Sequence, residues 1–129
     1  MQSDETIYGP REKRRPDIFE DQELGCTVRI DSWIRRKKEP GKKWEVHDFG
    51  INLSYKVAED APENEFQDVV RYDCRHYHAE MHKFWISPVP IELKWAVGKQ
   101  LDEIFEVCKQ DIKENYRSYI KHMQAVDRD

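Results

Sequence analysis

Leu24-Gly25-Cys26-Thr27-Val28-Arg29-Ile30-Asp31-Ser32-Trp33-Ile34 alternates apolar and polar residues, and residues 44–55, Trp44-Glu45-Val46-His47-Asp48-Phe49-Gly50-Ile51-Asn52-Leu53-Ser54-Tyr55, repeat that period. Successive side chains of a strand point to opposite faces, so period two marks half-buried strands. Between them stands Glu39-Pro40-Gly41-Lys42. Proline sets φ near −65° and glycine tolerates positive φ, which suits a type II turn. Closing the hairpin on Pro40-Gly41 sets Ile30 against Ile51, Val28 against Leu53, Cys26 against Tyr55 and Ser32 against Phe49. Apolar then meets apolar along one face, and a slip of one residue would scramble the match. Type II is not the favoured turn of a two-residue loop, so a longer tip is the alternative. The opposite face gathers Arg29, Trp33, Arg35, Lys37, Trp44 and Val46. Aromatic residues among cations can stack on bases and hold phosphates, which makes Trp33, Trp44, Arg35 and Lys37 candidate substrate-binding residues. Packing beneath the N-terminal segment or a partner is the competing role for the two tryptophans.

Outward from this hairpin, residues 1–18 are polar, contain Pro10 and Pro16 and lack periodicity, and read as a flexible arm. Residues 19–129 read as a single α+β domain. An acidic loop at residues 58–65 precedes a third strand, Phe66–Tyr72, and a fourth, Tyr77–Ile86. Ser87-Pro88-Val89-Pro90 breaks the pattern. From Ile91 the period turns helical: Val97, Leu101, Ile104, Phe105, Cys108, Ile112, Tyr116, Tyr119, Ile120 and Met123 form one stripe, with Gly98 a weak point inside it. The expected fold is an antiparallel sheet of about four strands, in two hairpins, packed on one long C-terminal helix. Such a helix outruns a four-stranded sheet, so its distal end is expected to meet another subunit, giving a homodimer, or a different protein partner.

The 129 residues are 38% apolar and 37% charged, a balance that suits a thin sheet-and-helix layer. Three scattered cysteines, with no Cys-x-x-Cys pair and no apolar leader, indicate a reduced, cytoplasmic setting. There is no apolar run of membrane-spanning length, so no membrane is expected. A net charge of −4 opposes indiscriminate nucleic-acid binding, yet Arg11–Arg15 and Arg35–Lys43 are local basic clusters.

The chemistry concentrates in Arg71-Tyr72-Asp73-Cys74-Arg75-His76-Tyr77-His78-Ala79-Glu80-Met81-His82. If Cys74-Arg75 closes a tight hairpin, Tyr72 faces Tyr77 on one side of the sheet. On the other, Asp73 faces His76 and Arg71 faces His78, with Glu80 and His82 following. Two chemistries suit that set. Histidine titrates near neutrality, so His76 and His78 can act as acid and base, Asp73 can orient one of them, and Arg71 can hold a phosphate. Those are the parts of metal-independent RNA cleavage. Alternatively His76, His78 and His82 with Glu80 offer ligands for zinc, iron or manganese. A plain sheet surface carrying mild ion pairs is the third account. Cys74, flanked by Arg75 and His76, would have a lowered thiol pKa, though nothing completes a triad around it. His47 is expected at the core edge and His122 in solvent at the helix end.

Arg71-Tyr72-Asp73, followed by His76 and His78, resembles the Arg-Tyr-Asp-x-x-His signature of small prokaryotic proteins, some of them toxins of toxin–antitoxin systems. The resemblance spans about 20 residues. It implies a compact α+β ribonuclease-like protein with RNA as substrate, an antitoxin as partner, and no cofactor. A non-catalytic module that binds nucleic acid or protein through the basic hairpin and the helix is the reading from a different class.

Overall fold

The structure, a computed structural model, describes residues 5–57, 65–75, 78–86 and 89–127. It is α+β: one antiparallel sheet with a single long helix on one face. Among the described residues the sheet has seven strands rather than about four. They are β1 (Ile7–Lys13), β2 (Asp17–Asp21), β3 (Cys26–Lys38), β4 (Glu45–Lys56), β5 (Gln67–Arg75), β6 (His78–Lys83) and β7 (Ile91–Glu92). From β3 to β7 the strands neighbour each other in chain order, while β1 and β2 lie in line along the free edge of β3.

Within the segment expected to be an arm, residues 7–13 and 17–18 are therefore strand, residues 1–4 lying outside the described residues. Pro10 and Pro16 hide it from periodicity because they interrupt the ladder, and the register of β1 shifts between Tyr8 and Arg11. An edge strand tolerates proline because the missing N–H faces outward.

Both long hairpins keep the expected separation of faces but not the expected pairing. Ile30 faces Leu53, Val28 faces Tyr55, Ser32 faces Ile51 and Ile34 faces Phe49, each two residues away from the tight-turn prediction. The tip is longer, spanning residues 39–44. Lys42 N–H donates to the Glu39 carbonyl at 3.0 Å, and Gly41 sits at φ 75°, as a type II turn demands. A bulge between Arg35 and Arg36 leaves His47 as the extra residue of β4.

Helix α1 (Leu101–Asp127) is about 40 Å long and lies against β4 and β5. Its stripe is buried from Leu101 through Ile104, Phe105, Cys108, Ile112 and Ile120 to Met123. On the distal turns one face packs on this chain, with Ile120 and Met123 buried and Trp85 stacked on His122 at 5.6 Å and set against Tyr119, while Lys121, His122 and Val126 are exposed. Val97 and Gly98 precede the helix rather than lying in it; Gly98 adopts φ 80° in the turn before it.

Two carboxylates tie the helix to the sheet. Asp111 accepts hydrogen bonds from the hydroxyls of Tyr72 and Tyr119, both at 2.6 Å. Buried Asp21, at the β2–β3 turn, accepts from the Tyr116 hydroxyl, from Arg117 Nε at 2.8 Å and from Leu24 N–H at 2.9 Å. These bonds, Tyr116 foremost, hold the Asp21 carboxyl at about 2. Because α1 covers only one side of the sheet, the polar residues of the strands form an open face on the other.

Candidate functional site on the open face of the sheet

Gly50 is the centre of that face. It pairs with Trp33 on one side and Asp73 on the other. A Cβ on Gly50 would lie 2.4 Å from Trp33 Nε1 and 2.8 Å from Cε2, so the indole lies across bare backbone. A glycine inside a strand pattern signals such an approach, and the run Phe49-Gly50-Ile51 carries that signal. On the ring's other side the Arg11 guanidinium sits 4.2 Å from its centroid. Arg11 arrives on β1, which is why no strand pattern pointed to it.

Two cavities flank this stack. One, of about 310 Å³, is lined by Arg11, Trp33, Asn52, Arg71, Asp73 and Arg75 among others. The second, of about 420 Å³, is lined by Tyr8, Arg11, Trp33, Arg35, Asp48 and Arg75 among others. Some of these cations are committed. Arg71 donates to Asn52 Oδ1 at 3.2 Å and meets Asp68 at 3.4 Å, with its guanidinium over Phe84. Arg35 donates to the Gly9 carbonyl at 3.0 Å and lies over Tyr8. Arg11 and Arg75 form no ion pair among the described residues. The acids are drawn aside: Asp31 takes the Arg29 guanidinium at 2.9 Å, and Asp73 meets His82 at 3.3 Å.

The β5–β6 pairing also keeps its parity, but each partner is shifted by four residues from expectation rather than two. Arg71 faces His82, Asp73 faces Glu80 and Arg75 faces His78. The face separation holds, since Tyr72, Cys74, Ala79 and Met81 turn to the helix side and are buried. The partners differ. Arg71, Asp73, Glu80 and His82 are brought together, with His82 3.9 Å from Glu80 and stacked on Phe84. His78 is exposed at the far end, and its Cα is about 13 Å along the strand from that of His82. His76 lies outside the described residues. The expected acid–base set of His76 and His78 around Asp73 is thus replaced, where it can be seen, by an Asp73–His82 pair. No group of three or more His, Cys, Asp or Glu suited to a metal ion occurs among the described residues.

The hairpin residues also divide. Trp33 and Arg35 are on the open face. Lys37 is buried and bound to Glu39 and Glu45 at 3.1 and 3.6 Å. Trp44 is half exposed and lines a separate cavity with Arg36, Val46, Gln100 and Leu101 near the start of α1. The bulge at His47 separates it from Trp33. Cys74 reverses its expectation: it is fully buried on the helix side, and burial pushes its thiol up to about 12. His47 is buried as expected, 5.0 Å from the Tyr8 ring. No helix among the described residues is long and apolar enough to cross a membrane.

A family model described as a domain of unknown function, DUF7718, matches residues 19–128, most of the chain. No curated protein and no solved structure matches it. The chain belongs to the DUF7718 family.

Proposed function

We propose that this member of the DUF7718 family binds single-stranded nucleic acid, RNA in the first instance, on the open face of its sheet. The observation that carries the reading is Trp33 laid flat on Gly50 with Arg11, Arg35, Arg71 and Arg75 around it. The Arg11 guanidinium lying on the indole turns its own planar face outward for a base to stack on, with Trp33 as the support beneath it, and guanidiniums also track phosphates. A local cationic patch does this within a chain of net charge −4 because screening confines its field to roughly 8–10 Å. Anisotropy of a labelled single-stranded RNA, titrated at low and moderate salt, tests it. Saturable binding that weakens with salt and falls about 5- to 150-fold in Trp33→Ala is expected. Absence of saturable binding by the wild type at low salt sinks the reading.

RNA cleavage at the same face is the second reading, supported by the Asp73–His82 contact with Arg71 across the strand pair. There Arg71 would neutralise the phosphate, and His82, oriented by Asp73, would accept the 2′-hydroxyl proton or return one to the departing oxygen. Cleavage in the presence of chelator that disappears in His82→Ala supports it; intact RNA after prolonged incubation with wild type counts against it.

A further inference from the structure

The two cavities share three residues, Arg11, Trp33 and Arg75. Two of the three are cations without an ion-pair partner among the described residues, and they come from well-separated strands, β1 and β5. The third is the ring that Arg11 covers. We infer that the ridge between the cavities is the seat of one internucleotide phosphate, and that each cavity takes one of the two nucleosides it joins. The smallest ligand that fills the site is a dinucleotide. This rests on the reading of the open face as a nucleic-acid surface.

The chemistry of the two compartments fits their assigned contents. Volumes of about 310 and 420 Å³ are each at the small end of the range for small-molecule sites, roughly 300–1,000 Å³. On one side the compartment has a fixed polar lining: Asn52 is bonded to Arg71 and Asp68, and Asp73 meets His82, so a sugar or base edge meets groups already held in place. On the other, Tyr8 adds a second aromatic ring next to Arg35 and Asp48. The Arg11 guanidinium, lying on the indole, extends the stack and keeps its N–H groups at the rim for an anion. A mononucleotide can use one compartment and one side of the ridge. A dinucleotide uses both compartments and places its diester charge between Arg11 and Arg75, neither of which forms an ion pair among the described residues, although Asp31, Asp48 and Asp73 also line the compartments.

Calorimetric titration of the full chain with 5′-UMP, UpU and octa-uridylate separates the outcomes. We expect UpU to bind at least tenfold tighter than UMP. That advantage should collapse to less than threefold in Arg11→Gln/Arg75→Gln, with the fold verified by circular dichroism, while Lys43→Gln at the hairpin tip retains it. Octamer binding with UpU no tighter than UMP overturns the two-compartment inference and leaves the nucleic-acid reading intact. Failure of all three ligands to bind overturns both. A UpU advantage that persists in the double-glutamine variant overturns the assignment of the phosphate to Arg11 and Arg75.

Discussion

Gly50→Ala puts the stacking platform under direct test without substituting any charged residue. Backbone strain is not at issue, because Gly50 is not among the positive-φ glycines. The new methyl would stand 2.4 Å from Trp33 Nε1 and 2.8 Å from Cε2. Non-bonded heavy atoms settle at about 3.5–4.0 Å, so the indole must lift by roughly 1 Å or more. It cannot rise freely, since Arg11 lies 4.2 Å above the ring centroid. Either the ring swings out or the guanidinium leaves, and a contact worth about 0.5–1 kcal/mol is lost. Overpacking costs about 1–3 kcal/mol where nothing can yield, but Trp33 is half-buried and can turn, and alanine recovers about 0.5–1 kcal/mol over glycine in a strand. Stability should therefore fall by no more than about 1 kcal/mol in urea unfolding. RNA affinity should fall by a large part of what Trp33→Ala loses, about 1–3 kcal/mol or roughly 5- to 150-fold by anisotropy. A Gly50→Ala protein that binds RNA within about twofold of wild type, beside a Trp33→Ala protein that does not, would refute the claim that the seat on Gly50 makes the ring a platform.

The Asp21 carboxyl is held at about 2, below the usual carboxylate range, chiefly by the Tyr116 hydroxyl, then Arg117 and the Leu24 N–H. A depressed folded-state pKa stabilises above the unfolded value and loses that contribution as pH falls through the folded one. At most about 2 kcal/mol, reduced by the solvent exposure of Arg117, should therefore disappear between about pH 5 and pH 2, and Asp21→Asn should flatten this acid limb in pH-dependent urea unfolding. Tyr72→Phe should cost about 1 kcal/mol, because Asp111 keeps Tyr119 and Asn115, whereas Asp111→Ala strands two hydroxyls and should cost roughly twice as much or more; both are read by thermal or urea unfolding. Cys26, Cys74 and Cys108 are buried, and burial pushes Cys74 and Cys108 up to about 12, so a thiol-reactive dye at pH 8 should label the native chain negligibly and the unfolded chain fully.

How far the fold was legible follows from which properties are local. The apolar alternation of β3 and β4 and the stripe of α1 mark these elements in the sequence, because burial on one side imposes the period itself. The β1 and β2 strands were not legible: their side chains are almost all exposed, and two prolines interrupt them, so no pattern distinguishes them from an arm. In the candidate site, Trp33, Arg35, Arg71, Asp73, Glu80 and His82 were in view from the chain, while the places on it of Arg11 (seen only within the Arg11–Arg15 basic cluster), Tyr8, Gly50, Arg75 and Phe84 were not. Arg11 and Tyr8 were lost with β1, and Arg75 was lost to a turn placed two residues too early.

The parity of each hairpin was determined by the chain alone, since moving an apolar side chain from the helix side to water costs about 1.5–3 kcal/mol per large residue and every strand carries several. Register beyond parity was decided only in the folded molecule. A shift of two residues leaves each face as apolar as before, so the choice falls to loop length, to the bulge at His47 and to how Phe49 meets Phe105 at 5.5 Å. That choice set His82, rather than His78, beside Asp73 among the described residues, and it laid an indole across Gly50, which has no side chain to obstruct it.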